Sequence, residues 1–116
     1  MIKTGAERRI NPRLDHRLPI DLAIDGYDFS TSTRNISCVG AYFHLDKYMP
    51  PFTKISVKLS LPNKDKAGRN SIVECKGVVV RTDDEAGGGF NLAIFFNEIQ
   101  DAQRKKISRY ISKFLP

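Results

Sequence analysis

Two short groups of side chains in this 116-residue chain have the types and spacing for ligand chemistry. The first is Arg8-Arg9-Ile10-Asn11-Pro12-Arg13. A guanidinium is a planar fork of donors that suits phosphate oxygens and also the O6/N7 edge of guanine. One bidentate guanine contact is worth roughly 1–3 kcal/mol, so several forks close together can hold a guanine-containing anion at more than one point. The second group is Asn35-Ile36-Ser37-Cys38-Val39-Gly40. Asn and Ser bond to local backbone in turns and also offer side-chain donors to a ligand. Gly40 allows a positive φ or a close approach of another backbone. Each group also has a plainer reading, the first as a solvated basic tail and the second as a polar β-turn.

Other constellations carry less chemistry. His16 and His44, taken with Cys38 and Cys75, show no spacing that resembles a pair of metal ligands or a Cys–His nucleophile, so we expect no metal site. Asp83-Asp84-Glu85 are adjacent carboxylates, whereas acid/base catalysis needs groups opposed across a cleft. Gly87-Gly88-Gly89 lacks the Lys-Ser/Thr of a phosphate-binding loop. No residue emerges as catalytic, and the chain is read as a non-enzyme.

The elements that must position these groups follow from periodicity. Residues 1–17 contain only Ile2, Ile10 and Leu14 as large apolar residues and read as a mobile or loosely docked basic arm. Residues 18–116 form the domain proper. Leu18, Ile20, Leu22 and Ile24 alternate with polar residues as a half-buried strand, and Asp25-Gly26 suits a tight hairpin turn. Tyr27, Phe29, Thr31 and Thr33 continue a second strand, a polar turn spans Arg34–Gly40, and Ala41, Phe43 and Leu45 make a third. Ile55 to Leu61 alternates as a fourth strand, and Ile72–Arg81 forms a fifth, in which Gly77 signals a bulge or sharp bend. After a turn over Asp83–Gly89 comes the last strand, with Phe90, Leu92, Ile94 and Phe96. Ile107, Tyr110, Ile111, Phe114 and Leu115 recur at helical spacing, and the helix is expected to begin near Asn97–Asp101. Six strands and one terminal helix without βαβ alternation specify a mainly β fold, a small antiparallel barrel closed at one end by the helix.

Composition narrows the function classes. The chain carries 19 Lys+Arg against 13 Asp+Glu, a formal charge of +6, which favours an anionic partner. At this length there is room for one core, which excludes an enzyme with separate cofactor and substrate domains. No apolar run is long enough to span a membrane, and two cysteines fit a reducing cytoplasm. Part of the surplus charge lies on the terminal helix, at Arg104, Lys105, Lys106, Arg109 and Lys113, which reads as a solvated face or as a docking face for an acidic partner.

The ordered pair Arg9-x-x-x-Arg13 and Asn35-x-Ser37-x-x-Gly40, set before and just after the first hairpin of a small barrel, resembles the PilZ domain signature of an RxxxR arm and a [D/N]xSxxG turn. The resemblance covers nearly the whole chain and implies a six-stranded PilZ-type barrel with a flexible N-terminal arm. It also implies a receptor or adaptor for cyclic di-GMP. Arg9 and Arg13 would clamp guanine edges and phosphates. Asn35 and Ser37 would bind guanine and phosphate from the barrel face, and Gly40 would shape the turn. Arg8, directly before the motif, implies two intercalated cyclic di-GMP molecules. Asn35 stands where Asp is commoner and removes a charge. Arg13-Leu14-Asp15-His16-Arg17 also reads RxxxR, and the Glu-Arg-Arg lead-in favours the Arg9/Arg13 register. A downstream protein partner is expected, with the chain a monomer or a homodimer. Two rival readings are a PilZ-like interaction module that binds no nucleotide and a barrel that binds single-stranded nucleic acid through Tyr27, Phe29, Tyr42 and Phe43. The second is disfavoured because half of those rings should face the core.

Overall fold

Alternation decides which side of each strand enters the core. Leu18, Ile20 and Leu22 are all but inaccessible, while Pro19 and Asp21 between them are exposed, so β1 (Pro19–Ile24) is buried on one face only. Asp25 and Gly26 both take positive φ, 46° and 85°, the conformation of a two-residue hairpin turn whose twist matches its flanking strands. β2 (Tyr27–Ser37) returns antiparallel to β1. In the computed structural model, which describes residues 11–62 and 70–115, six antiparallel strands close into a barrel in the order β1-β2-β3-β6-β5-β4. The others are β3 (Gly40–Leu45), β4 (Lys54–Pro62), β5 (Asn70–Asp84) and β6 (Phe90–Glu98). Inward residues from every strand, among them Ile36, Phe43, Leu59, Val73 and Leu92, fill the interior.

The terminal helix, α1 (Asp101–Ser112), buries Ile107, Tyr110 and Ile111. It also serves a strand edge. The first residues of β5 pair with β4 but run beyond the reach of β6, and α1 meets them with side chains: Gln103 accepts from the Glu74 amide, and Lys106 Nζ donates to the Ile72 carbonyl. Backbone groups that would otherwise present an open edge are thereby satisfied. Asp101 in the first turn and Arg109 in the last complement the helix dipole.

Three elements differ from expectation. The stretch Arg34–Gly40 is strand as far as Ser37, and only Cys38 and Val39 turn. β5 extends past Arg81 through Thr82, Asp83 and Asp84, because backbone pairing to β6 does not require apolar side chains. The helix stops at Ser112, so Phe114 and Leu115 lie beyond it, partly exposed, with the Phe114 ring 4.4 Å from that of His16. A register shift does fall at Gly77, between Lys76 and Val78, but β6 advances three residues there against two in β5, so the extra residue lies in β6 opposite Gly77.

Candidate functional site

The second motif lies on the β2–β3 hairpin. Ser37 pairs with Gly40 across the two-residue turn, and its Oγ accepts a 3.2 Å hydrogen bond from the Val39 amide, holding the turn from within. Gly40 answers a packing demand. A Cβ there would overlap the Ile94 carbonyl oxygen of β6, so only glycine lets β3 and β6 approach this closely. Of the two uses allowed from sequence, close approach is the one realised; the positive-φ glycines lie at the other hairpins.

Asn35 reaches the outer surface because of an irregularity. Register shifts between Thr33 and Asn35, so Arg34 is an extra residue in β2. Thr33 and Ile36 both point into the core and are fully buried, and the two residues between them face outward together. This bulge breaks the alternation that a sequence reading relies on.

Cross-strand pairing then orders the outer face of β2, β3, β6 and β5 into rows. One runs Ser37, Gly40, Phe95, Val78; the next runs Asn35, Tyr42, Ala93, Arg81. Phe95 is 46% exposed, giving an apolar floor beside Ser37. Below Tyr42 and Ala93, His44 and Asn91 pair; Asn91 Nδ2 donates to Glu85, and Arg34 lies 3.6 Å from the same carboxylate. The Asn91 hydrogen bond first, then the charges of Arg34 and His44, hold the Glu85 carboxyl below its ordinary range against the opposing effect of desolvation.

The arm meets this face at Arg13. Leu14 and Ile36 form an antiparallel bridge, with each amide donating to the other's carbonyl at 2.8 and 3.0 Å. The bridge is confined to that one pair, with Arg13 next to Leu14 and Ser37 next to Ile36, so the two motifs meet here. Leu14 packs against the core with Ile36, so Arg13 emerges on the outer side, exposed. Asn11 extends the path over the turn, its Oδ1 accepting from Cys38 Sγ at 3.1 Å. Arg17 lies at the far end of the docked segment, beside Leu18, whose amide donates to Thr33 Oγ1. Arg8 and Arg9 lie outside the described residues. Sequence reasoning missed Tyr42, Arg81, Phe95 and Val78 as neighbours of the motif; cross-strand register brings them there, and no local spacing encodes it.

Elsewhere the structure offers weaker sites. A cleft of about 1040 Å³ opens among the ends of β1, β2, β4 and β5 and the start of α1, lined by Phe29, Val57 and Ile99. Its charged lining is Asp21, Asp28, Glu74 and Glu98 against Lys58 and Lys76, an excess of carboxylates unsuited to an anion. Cys75 borders it, and burial pushes that thiol up to about 11. Among the described residues no group of three His, Cys, Asp or Glu could hold a metal ion. No helix among them is long and apolar enough to cross a membrane. The aromatic set considered for nucleic acid is divided: Tyr27 is 70% exposed at the first hairpin, while Phe43 is wholly buried.

Comparison with known proteins agrees with this architecture. Among curated proteins none matches the chain. The structure of the inhibitor of motility of Bacillus subtilis (MotI/DgrA) is similar, with TM-score 0.79 and 18% identity over 91% of this chain; the chain spans 51% of that protein's length. The PilZ domain of YcgR from Escherichia coli, in a structure with c-di-GMP, matches with TM-score 0.65 and 10% identity over 91% of this chain and 90% of that one. At such identities these likenesses speak for the fold alone. The sequence model for the PilZ domain matches residues 7–113, which takes in arm, barrel and helix, and the chain therefore belongs to the PilZ domain family.

Proposed function

We propose that this chain is a cyclic di-GMP receptor that binds its ligand on the outer face of the β2–β3 hairpin, beneath the basic arm. The family's members are cyclic di-GMP receptors and adaptors, not enzymes. The observation that carries the reading here is the Leu14–Ile36 bridge, which docks the residue after Arg13 against the residue before Ser37 and so brings together two motifs 24 residues apart in sequence. Arg13 supplies a fork for phosphate or guanine, Asn35 a half-exposed amide, and Ser37 a hydroxyl already ordered by the turn. Arg9 completes the clamp and Arg8 favours two intercalated ligand molecules. Of the segment 5–17, Leu14 onward is docked already, and ligand binding draws the Arg8–Arg13 part onto the face, with charge-assisted bonds offsetting the entropy of ordering. The altered surface is the output, read in the cytoplasm by a downstream protein partner.

Isothermal calorimetry with cyclic di-GMP, cyclic di-AMP and a short oligonucleotide tests this. Binding of the first alone at micromolar or tighter affinity, lost in Arg13→Ala, is the expected result. Loss in Arg17→Ala with Arg9→Ala unaffected would move the motif to the other register. Silence with cyclic di-GMP would leave the chain as an interaction module, and salt-sensitive oligonucleotide binding in its place would make it a nucleic-acid barrel.

A further inference from the structure

Two bulges flank the β3–β6 pair, one on each side, and both act on the same face. In β2 the extra Arg34 turns Asn35 outward. In β5 the register shifts between Val79 and Arg81, so Val80 is the extra residue. Without that shift Arg81 would pair with the fully buried Leu92 and point into the core. With it, Arg81 pairs with Ala93 and joins Tyr42 and Asn35 in one outward row. A bulge of this kind re-aims a side chain, and here it re-aims a guanidinium toward the candidate ligand site.

The side chain then folds back along the row. Its Cζ lies 5.8 Å from the centre of the Tyr42 ring, and Tyr42 is the direct cross-strand neighbour of Asn35. The small Ala93 between them leaves the space that this return requires. Asp83 Oδ2 accepts from Nε at 2.9 Å and fixes the plane of the guanidinium, so that pair does not engage the two terminal nitrogens. A fork lying over an aromatic ring whose cross-strand neighbour carries an amide is suited to reading a guanine edge.

We propose that Arg81, lying over Tyr42, is a specificity-determining residue that reads a guanine of the bound cyclic dinucleotide beside Asn35. The inference rests on the cyclic di-GMP reading above and extends it to a strand outside both sequence motifs. Guanine presents two acceptors, O6 and N7, to the fork; adenine replaces O6 with an amino donor and opposes it.

The test is calorimetric titration of wild type, Arg81→Ala and Arg81→Lys with cyclic di-GMP and with cyclic GMP–AMP, which differs in one base. Arg81 is exposed, so the variants should remain folded, as circular dichroism will verify. Arg81→Ala should bind cyclic di-GMP about tenfold or more weakly and prefer it less over cyclic GMP–AMP. Arg81→Lys keeps the charge without the fork and should not restore the preference. Wild-type affinity and preference in Arg81→Ala, or full recovery of both in Arg81→Lys, overturns the assignment while leaving the receptor reading intact. Absence of cyclic di-GMP binding by the wild type overturns both.

Discussion

At the scale of single residues, Gly40 shows how a motif position can serve the fold before it serves a ligand. Its missing Cβ lets the Ile94 carbonyl of β6 close onto β3, which in turn sets Phe95 beside Ser37. Gly40→Ala forces backbone against side chain at a place where neither can yield cheaply. The variant should lose on the order of 1–3 kcal/mol of stability, read as a lower urea midpoint, and should bind ligand less tightly. An unchanged midpoint would mean that β3 and β6 can part without cost. Glycine at this spacing was legible in the sequence as a constraint, but its partner strand was not. Ser37 was likewise legible as a ligand donor, while its hydrogen bond to the Val39 amide shows that it also builds the turn.

Among elements, the docked end of the arm depends on one buried hydroxyl. Thr33 Oγ1 donates to the His16 carbonyl at 2.6 Å and accepts from the Leu18 amide at 2.9 Å, so a single side chain fastens the segment before β1 to the middle of β2. His16 in turn bonds the Tyr110 hydroxyl at 2.8 Å, which ties the same segment to α1. Valine has nearly the shape of threonine but satisfies neither backbone group. Thr33→Val should therefore cost about 1–3 kcal/mol and speed amide exchange at Leu14 and Leu18. Exchange at wild-type rates would show that the Leu14–Ile36 bridge holds the segment unaided. The sequence displayed β1, β4 and β6 clearly, because each is buried on one face and its alternation is unbroken. It hid the second half of β2, because Arg34 and Asn35 face the same way and imitate a turn. It hid the docking of residues 14–18 for another reason: backbone groups, Thr33 and His16 make most of that contact, and Leu14 and Leu18 are too far apart to mark a strand period.

For the molecule as a whole, closure of the barrel makes distant loops answer to one another. The β5–β6 turn reaches the β2–β3 face through Glu85, which accepts from Asn91 and lies beside Arg34. Its carboxyl is held below the ordinary range, so it binds a proton more weakly when the chain is folded. The stability this confers is present above the ordinary glutamate value, near pH 4.3, and disappears as pH falls through the lower folded value. Glu85→Gln should be less stable than wild type at neutral pH, with the gap closing in acid, as urea unfolding across a pH series will show. A gap that persists unchanged at low pH would trace the loss to packing instead of charge. The two bulges impose a further condition on the molecule, one of length. In a closed ring of strands, which side chains face out depends on counting residues along each strand. Arg34 and Val80 are the surplus in that count: removing either would erase its bulge and leave Asn35 opposite Tyr42 and Arg81 opposite Ala93, both still facing out. An evolving lineage can therefore vary the chemistry of this face one substitution at a time, and can lose a bulge residue, whereas deleting a paired inward residue such as Thr33 would draw Arg34 into its place in the core. Changes in length are best tolerated where the count is not kept, in the connections between strands.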